Sequence, residues 1–152
     1  MRVSVIGGST VDEETYEEAR ELGRILARRG HTVVCGGYFG VMEGVCRGAK
    51  EEDERARTVG VLSGDDPDEA NEYVDVPVAT NMGDARNALV VLNGEAVIAV
   101  DGAYGTLSEI AHALVIGKTV VGLDTHEVEG VEAVGTPREA VERVEEAVED
   151  SS

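Results

Sequence analysis

Three glycine-rich segments and one isolated arginine carry the groups best suited to chemistry in this chain. Asp101-Gly102-Ala103-Tyr104-Gly105-Thr106-Leu107-Ser108-Glu109 follows the apolar run Ala96 to Val100 and opens a helical pattern. At such a junction the first helical amides lack partners, and the helix dipole adds about half a positive charge. Glycines there let the backbone come close to an anion. Gly102, Ala103, Tyr104, Gly105 and Thr106 are therefore candidate phosphate-binding positions, with the Thr106 hydroxyl as a further donor. The same spacing also fits an ordinary turn in which Thr106 is the helix N-cap. A second unit, Cys35-Gly36-Gly37-Tyr38-Phe39-Gly40-Val41-Met42, and a third, Gly7-Gly8-Ser9, each follow a short apolar run as well. In a parallel sheet such turns leave one edge together, which brings Gly8, Ser9, Gly36 and Gly37 into the same candidate site.

Met82-Gly83-Asp84-Ala85-Arg86-Asn87 stands between these units, and Arg86 is the one base in a long acidic and apolar neighbourhood. Two readings of Arg86 are open: a guanidinium clamp on phosphate or on charge developing at a sugar, and a surface ion pair with one of the 31 acids. Met82 and Asn87 flank it as candidate binding residues. Glu109, three residues beyond Thr106, is either a general acid at the same mouth or an acid favoured by the helix dipole. His31, His112 and His126 are scattered without ligand spacing, so no metal site is expected. There is no Gly-Lys-Thr or Gly-Lys-Ser of a P-loop and no G-x-G-x-x-G, so NAD is not the expected cofactor. Cys35 and Cys46 form no C-x-x-C pair and read as small buried hydrophobes.

The elements that must position these residues alternate. Val3 to Ile6, His31 to Cys35, Thr58 to Leu62, Ala96 to Val100 and Thr119 to Leu123 are short, β-branched apolar runs, with a weaker strand over Tyr73 to Val78. Continuous apolar runs, rather than alternation, suit a parallel sheet covered on both faces. Helical periodicity falls at residues 13–29, with Thr10 and Glu13 as a capping box, and at Val41 to Lys50. It falls again at residues 83–93 and Leu107 to Ile116, and over a last helix opened by Thr136-Pro137 with Glu139. The order predicts an α/β, three-layer, doubly wound, mostly parallel sheet of six to seven strands, one Rossmann-like domain over 1–152.

Thirteen basic against 31 acidic residues leave a net charge of −18. A surface so acidic repels nucleic acid, and it suits a high-salt cytoplasm in which screening removes the self-repulsion. No secretory leader or run of 18 apolar residues occurs, so the expected setting is cytoplasmic and reducing, away from membranes.

With these motifs together the chain resembles the Rossmann-like family labelled lysine-decarboxylase-like, which includes the LONELY GUY phosphoribohydrolases and the molybdenum-cofactor carrier proteins. The resemblance runs from Val3 to about Leu123 and rests on the Gly-Gly-Ser turn, GGYFGVMEGVCRGA, MGDARN and DGAYGTLSE. In the phosphoribohydrolases the motifs read P-G-G-x-G-T-x-x-E and M-x-x-R-K. By that resemblance Arg86 and Glu109 are catalytic, and Gly102 to Thr106 hold a nucleotide phosphate. This chain departs from the pattern. Asp101 replaces the proline, Ala103 a glycine and Asn87 the lysine, and the arginine lies one residue farther from Met82. Those departures bring it nearer the cofactor-carrier branch. The resemblance implies a phosphate-bearing small-molecule ligand such as a nucleotide or a molybdopterin-type cofactor. It also implies a homodimer or larger homo-oligomer, and a possible role as a cofactor carrier. The alternative it implies is a phosphoribohydrolase cleaving the N-glycosidic bond of AMP-like nucleoside 5′-monophosphates, not a lysine decarboxylase.

Overall fold

A computed structural model describes residues 1–151. The strands are β1 (Arg2–Gly7), β2 (Thr32–Cys35), β3 (Thr58–Leu62), β4 (Val76–Ala79), β5 (Ala96–Val100), β6 (Val120–Leu123) and β7 (Val131–Ala133). The helices are α1 (Glu13–Arg28), α2 (Val41–Glu52), α3 (Asn87–Leu92), α4 (Tyr104–Val115) and α5 (Pro137–Ser151). All seven strands pair in parallel in the order β4-β3-β2-β1-β5-β6-β7. The doubly wound, parallel architecture read from the sequence is the one observed.

Each strand contributes to both faces, because successive side chains point to opposite sides of a sheet. Val3 and Val5 of β1, with Ala96, Ile98 and Val100 of β5, pack against α1, α2 and α5. Ile6, Val97 and Ala99 pack on the other face with Val90 and Val91 of α3 and Ile110 and Ala113 of α4. The core is aliphatic throughout, as a composition of 3% aromatics requires. Ser4 is the polar exception in β1: its buried hydroxyl donates to the Val90 carbonyl at 2.6 Å, so it is satisfied.

The chain winds outward from β1 to β4, then crosses back to place β5 on the other side of β1. A crevice opens where the winding reverses, beyond the carboxyl ends of the strands. In the β1–β5 register Gly7 lies beside Val100, so the first and third glycine turns leave the sheet next to each other.

Several local expectations are corrected. Asp12, not Thr10, caps α1, accepting from the Thr15 amide at 2.8 Å; it stands directly before Glu13, within reach of the orphan donors. The strand expected over Tyr73 to Val78 forms only from Val76, since Asn71 takes the Tyr73 and Val74 amides into a turn. Residues 83–86 form a 3-10 turn before α3 begins at Asn87. β7 is an extra edge strand of three residues, too short to carry a periodic signal. The α4 helix starts at Tyr104 rather than Leu107. At α5 the Thr136 hydroxyl accepts from the Glu139 amide at 3.1 Å, as the Thr-Pro-x-Glu spacing predicts, while the Glu139 carboxylate reaches back one residue beyond the cap and accepts from the Gly135 amide at 3.2 Å.

Candidate functional site

Three glycine-rich turns and the start of α3 build the site, a cleft of about 170 Å³ at the reversal point. Gly7, Gly8 and Ser9 line it from the β1 turn, and Gly36 and Met42 from the β2–α2 unit. Asp84, Arg86 and Asn87 line it from the start of α3, and Ala103, Gly105, Thr106 and Glu109 from the β5–α4 unit. Three turns separated by up to about a hundred positions in sequence therefore converge on one space, through the parallel register alone. Val41 donates its amide to the Gly8 carbonyl at 3.0 Å, which ties the Gly7-Gly8-Ser9 turn to the β2–α2 turn. Asn71 donates to the carbonyls of Gly37 and Tyr38 at 3.3 and 2.7 Å and holds the second turn from beneath.

The turn after β5 is shaped by two consecutive residues of positive φ, Asp101 at 52° and Gly102 at 123°. Left-handed backbone is strained for a residue with a side chain, though aspartate tolerates it better than most. Asp101 is pinned from both ends: its amide donates to the Leu123 carbonyl at 3.0 Å and its carbonyl accepts from the Thr125 hydroxyl at 2.7 Å. His126 is 2.9 Å from the Ala103 carbonyl, so the segment after β6 buttresses the whole turn. Thr106 is not the N-cap; Ala103 is, and no side chain caps this helix. The first-turn amides are thereby left without a side-chain acceptor, and Thr106 is 3% exposed with its side chain packed over Gly102.

Arg86 does not form the surface ion pair that was one of its two readings: no carboxylate lies within ion-pair distance of it among the described residues. Its Nε donates to the Val61 carbonyl at 2.8 Å, its Nη1 to Asn87 Oδ1, and its guanidinium carbon lies 5.8 Å from the Tyr38 ring centre. Nη2 faces the second glycine turn: a Cβ on Gly36 would stand 2.8 Å from it and 2.7 Å from Met42 Sδ. Gly36 is thus required by close approach, since any side chain would displace the guanidinium. Asn87 extends the arrangement, donating to Ser108 Oγ at 3.3 Å, and Ser108 donates to the Gly105 carbonyl at 2.6 Å.

Glu109 is 7% exposed, lines the cleft, and makes no hydrogen bond within the described residues. Burial pushes its carboxyl up to about 7, against a weaker downward pull from the charge of Arg86. A buried acid without a partner, titrating near neutrality in a cleft, is suited to exchange a proton with a bound molecule. Asp84 lines the mouth and Asp101 flanks it. The local field thus sets one guanidinium and a set of amides against three acids.

Of the residues singled out in the sequence, Gly8, Ser9, Gly36, Arg86, Asn87, Ala103, Gly105, Thr106 and Glu109 meet at the cleft. Gly37, Met82, Gly102 and Tyr104 do not line it. Gly37 faces Leu62 and Gly60 of β3, Gly102 lies under Thr106, and Met82 and Tyr104 point outward, 47% and 88% exposed. Sequence reasoning missed Gly7, Met42 and Asp84 as lining residues, although each belongs to a motif already recognised. Cys35 and Cys46 lie buried with their sulfurs 3.6 Å apart, behind the second turn.

A model of the SLOG cluster4 family matches residues 1–149. The chain belongs to that family. This SLOG cluster4 protein is 42% identical over 142 residues to an uncharacterized protein of Archaeoglobus fulgidus, covering 93% of this chain and 92% of that one. Its structure is similar to that of the molybdenum cofactor binding protein from the phototrophic bacterium Rippkaea orientalis. There the TM-score is 0.90 and the identity 29%, over 97% of this chain and 96% of the other. It is likewise similar to the molybdenum cofactor carrier protein of Chlamydomonas reinhardtii, with a TM-score of 0.87 and 29% identity over 97% and 98% of the two chains. These likenesses agree with the resemblance to the carrier branch seen in the motifs.

Proposed function

We propose that this SLOG cluster4 protein binds a phosphate-bearing small molecule, a nucleotide or a molybdopterin-type cofactor, and acts as its carrier. The observation that carries the reading is a half-buried arginine with no acid in ion-pair contact among the described residues, facing glycine turns that converge on one cleft. In a molecule of net charge −18 an arginine without a carboxylate partner marks a place where an anion is wanted. Arg86, with the amides around Gly36 and Gly105, would hold the phosphate, and Thr106 would add its hydroxyl. The two structural relatives named for the molybdenum cofactor support the choice of cargo. When bound, that cofactor would supply a metal–dithiolene centre; this chain would bind and shield it. Mass spectrometry of ligands released from the protein purified from its own cells tests the reading. A phosphate-bearing compound at near-stoichiometric amount is expected, and none at any salt concentration refutes it.

One observation favours a second reading. Glu109, protonatable near pH 7 beside Arg86, matches the acid that a phosphoribohydrolase needs, with Arg86 steadying charge at the ribose. Incubation with AMP and isopentenyladenosine monophosphate in molar KCl, followed for free base and ribose 5-phosphate, separates the two. Release abolished in Glu109→Gln supports the enzyme; no release supports the carrier.

A cytoplasmic setting and self-association belong to the same reading. No helix among the described residues is long and apolar enough to cross a membrane. Leu92, Val115 and Ile116, at the ends of α3 and α4, are exposed apolar residues suited to a symmetric contact with a second copy. A monomeric mass by light scattering at high salt would remove that expectation.

A further inference from the structure

We infer that Cys35 and Cys46 form a redox modification site, a dithiol that a peroxide closes to a disulfide, and that closure distorts the β2–α2 turn and weakens its hold on an anion. The inference rests on the anion-binding reading above and adds its regulation. Its first ground is placement. Cys35 is the last residue of β2 and Cys46 lies in the middle of α2, both fully buried, with their sulfurs 3.6 Å apart. The segment between them is the β2–α2 turn of the cleft. Gly36, directly after Cys35, faces the Arg86 guanidinium, and Met42, one helical turn before Cys46, lines the cleft. A molecule as small as a peroxide therefore approaches the sulfurs from the cleft, by way of Gly36 and Met42.

The second ground is that the two thiols are not equivalent. The Cys46 thiol donates to the Cys35 sulfur, and that bond, helped by the Gly37 amide and the charge of Arg86, holds Cys35 below the usual thiol range despite its burial. The same bond and burial push Cys46 well above that range. Cys35 is thus the nucleophile, because the thiolate is the reactive form, and Cys46 is the group that resolves. The Cys35 thiolate attacks one peroxide oxygen, the O–O bond breaks, and Cys35 becomes a sulfenic acid while hydroxide departs. That hydroxide takes the Cys46 proton and leaves as water. The Cys46 thiolate then attacks the Cys35 sulfur, the S–O bond breaks, and the second hydroxide recovers the proton that Cys35 released on ionising. Two thiols have lost two electrons and two protons, and the peroxide has become two waters.

The third ground is mechanical. A disulfide bond is about 2.05 Å long, so the sulfurs must draw together by about 1.5 Å. β2 is held in register between β1 and β3. α2 is locked to α1 by backbone contact: a Cβ on Gly48 would stand 1.8 Å from the Arg20 carbonyl oxygen, and one on Gly23 2.0 Å from that of Val45. The piece that yields is the connection between them, which has glycine at 36, 37 and 40. Moving Gly36 spoils its fit to Arg86, so the disulfide form binds the anion more weakly.

The test treats the reduced protein with hydrogen peroxide in molar KCl and weighs the tryptic peptide 30–47, which carries both cysteines. It should become two hydrogens lighter and regain them with dithiothreitol. Sulfate affinity, read by calorimetric titration, should fall on the order of tenfold on oxidation and recover with the same reductant. By reciprocity, saturating sulfate should raise the reduction potential of the pair by about 30 mV. Cys46→Ala should accumulate a sulfenic acid on Cys35 that dimedone captures. Cys35→Ala should bind sulfate as the reduced wild type does and ignore peroxide, which separates the pair from oxidation of Met42. The wild-type peptide mass and affinity decide the matter without either variant. A peptide of unchanged mass, equal sulfate affinity in the two forms, or a loss that persists in Cys35→Ala overturns the switch and leaves the anion site standing. Reduced protein that binds no sulfate refutes the anion site, and the switch with it.

Discussion

Glu109→Gln isolates the effect of a buried, unpartnered carboxyl on the folded state. In the unfolded chain this group titrates near 4.5; in the fold it is pushed up to about 7, chiefly by burial. The sign follows from which form the fold disfavours. Below 4.5 the carboxyl is neutral in both states and costs nothing. As pH rises from 4.5 to 7 the unfolded chain releases the proton while the folded one keeps it, so stability falls steadily, and above 7 the loss is complete and constant. At about 1.4 kcal/mol per unit, the gap corresponds to a penalty of about 3 kcal/mol at pH 8. Glutamine is a neutral isostere of the protonated acid and escapes this penalty. It is expected to leave stability nearly unchanged at pH 5 and to raise it by about 3 kcal/mol at pH 8. For a domain of this size that corresponds to roughly 6–12 °C in the unfolding midpoint. Urea unfolding of both proteins at half-unit steps from pH 5 to 8.5, in molar KCl, provides the measurement. Taking the difference at each pH cancels the titration of every other group. A difference that stays flat between pH 5 and 7 would refute the placement of Glu109 as a buried acid without a partner.

The same proton should be felt by the ligand: sulfate, whose charge is constant over this range, is expected to bind more weakly as pH rises through 7 in the wild type and without that dependence in Glu109→Gln, as read by calorimetric titration. Arg86→Gln removes the guanidinium and should weaken sulfate binding by about 1.5–3 kcal/mol, whereas unchanged affinity would place the anion elsewhere. In Gly36→Ala the new methyl meets Nη2 at 2.8 Å and Met42 Sδ at 2.7 Å, so anion affinity should drop while stability falls by only about 1–3 kcal/mol, because both neighbours are the ends of flexible side chains. Asp101→Asn keeps a residue tolerant of φ 52° and removes a negative charge from the rim, so anion binding should tighten, least at high salt. With a net charge of −18 the unfolding midpoint is expected to climb with added KCl, and a midpoint indifferent to salt would contradict the halophilic reading.

The sheet was legible because its strands are uninterrupted apolar runs. β3 and β5 form at the predicted residues, since both run through the interior: β5 is apolar and buried at every position, and the one polar residue of β3, Thr58, is buried as well. Edge strands were not legible to the same degree. β4 exposes Val76 and Val78, and β7 is Val131-Glu132-Ala133, so neither has the burial that imposes a pattern. The glycine turns were found from composition and topology, and the winding does bring them together. What sequence could not separate was which glycine serves the cleft and which serves packing. Gly36 and Gly37 are neighbours, yet one faces Arg86 and the other faces β3, a distinction set by a positive φ of 86° at Gly37. The environment of Glu109 was hidden for a related reason. With the helix expected from Leu107, Glu109 fitted a solvated first-turn acid equally well; in the fold it stands in the second turn of α4, where tertiary packing buries it.

The chain of contacts from Arg86 through Asn87 and Ser108 to the Gly105 carbonyl bears on how the site would work over time. It couples a side chain on one element to the opening turn of another, so the positive group and the amides form a single stiff frame that an arriving anion finds already aimed. Little ordering is left to be done on arrival, so less of the contact energy is consumed and recognition needs no slow rearrangement. A molecule that must surrender its cargo as well as hold it gains from such a frame, because release can then be rapid without any part of the fold having to open.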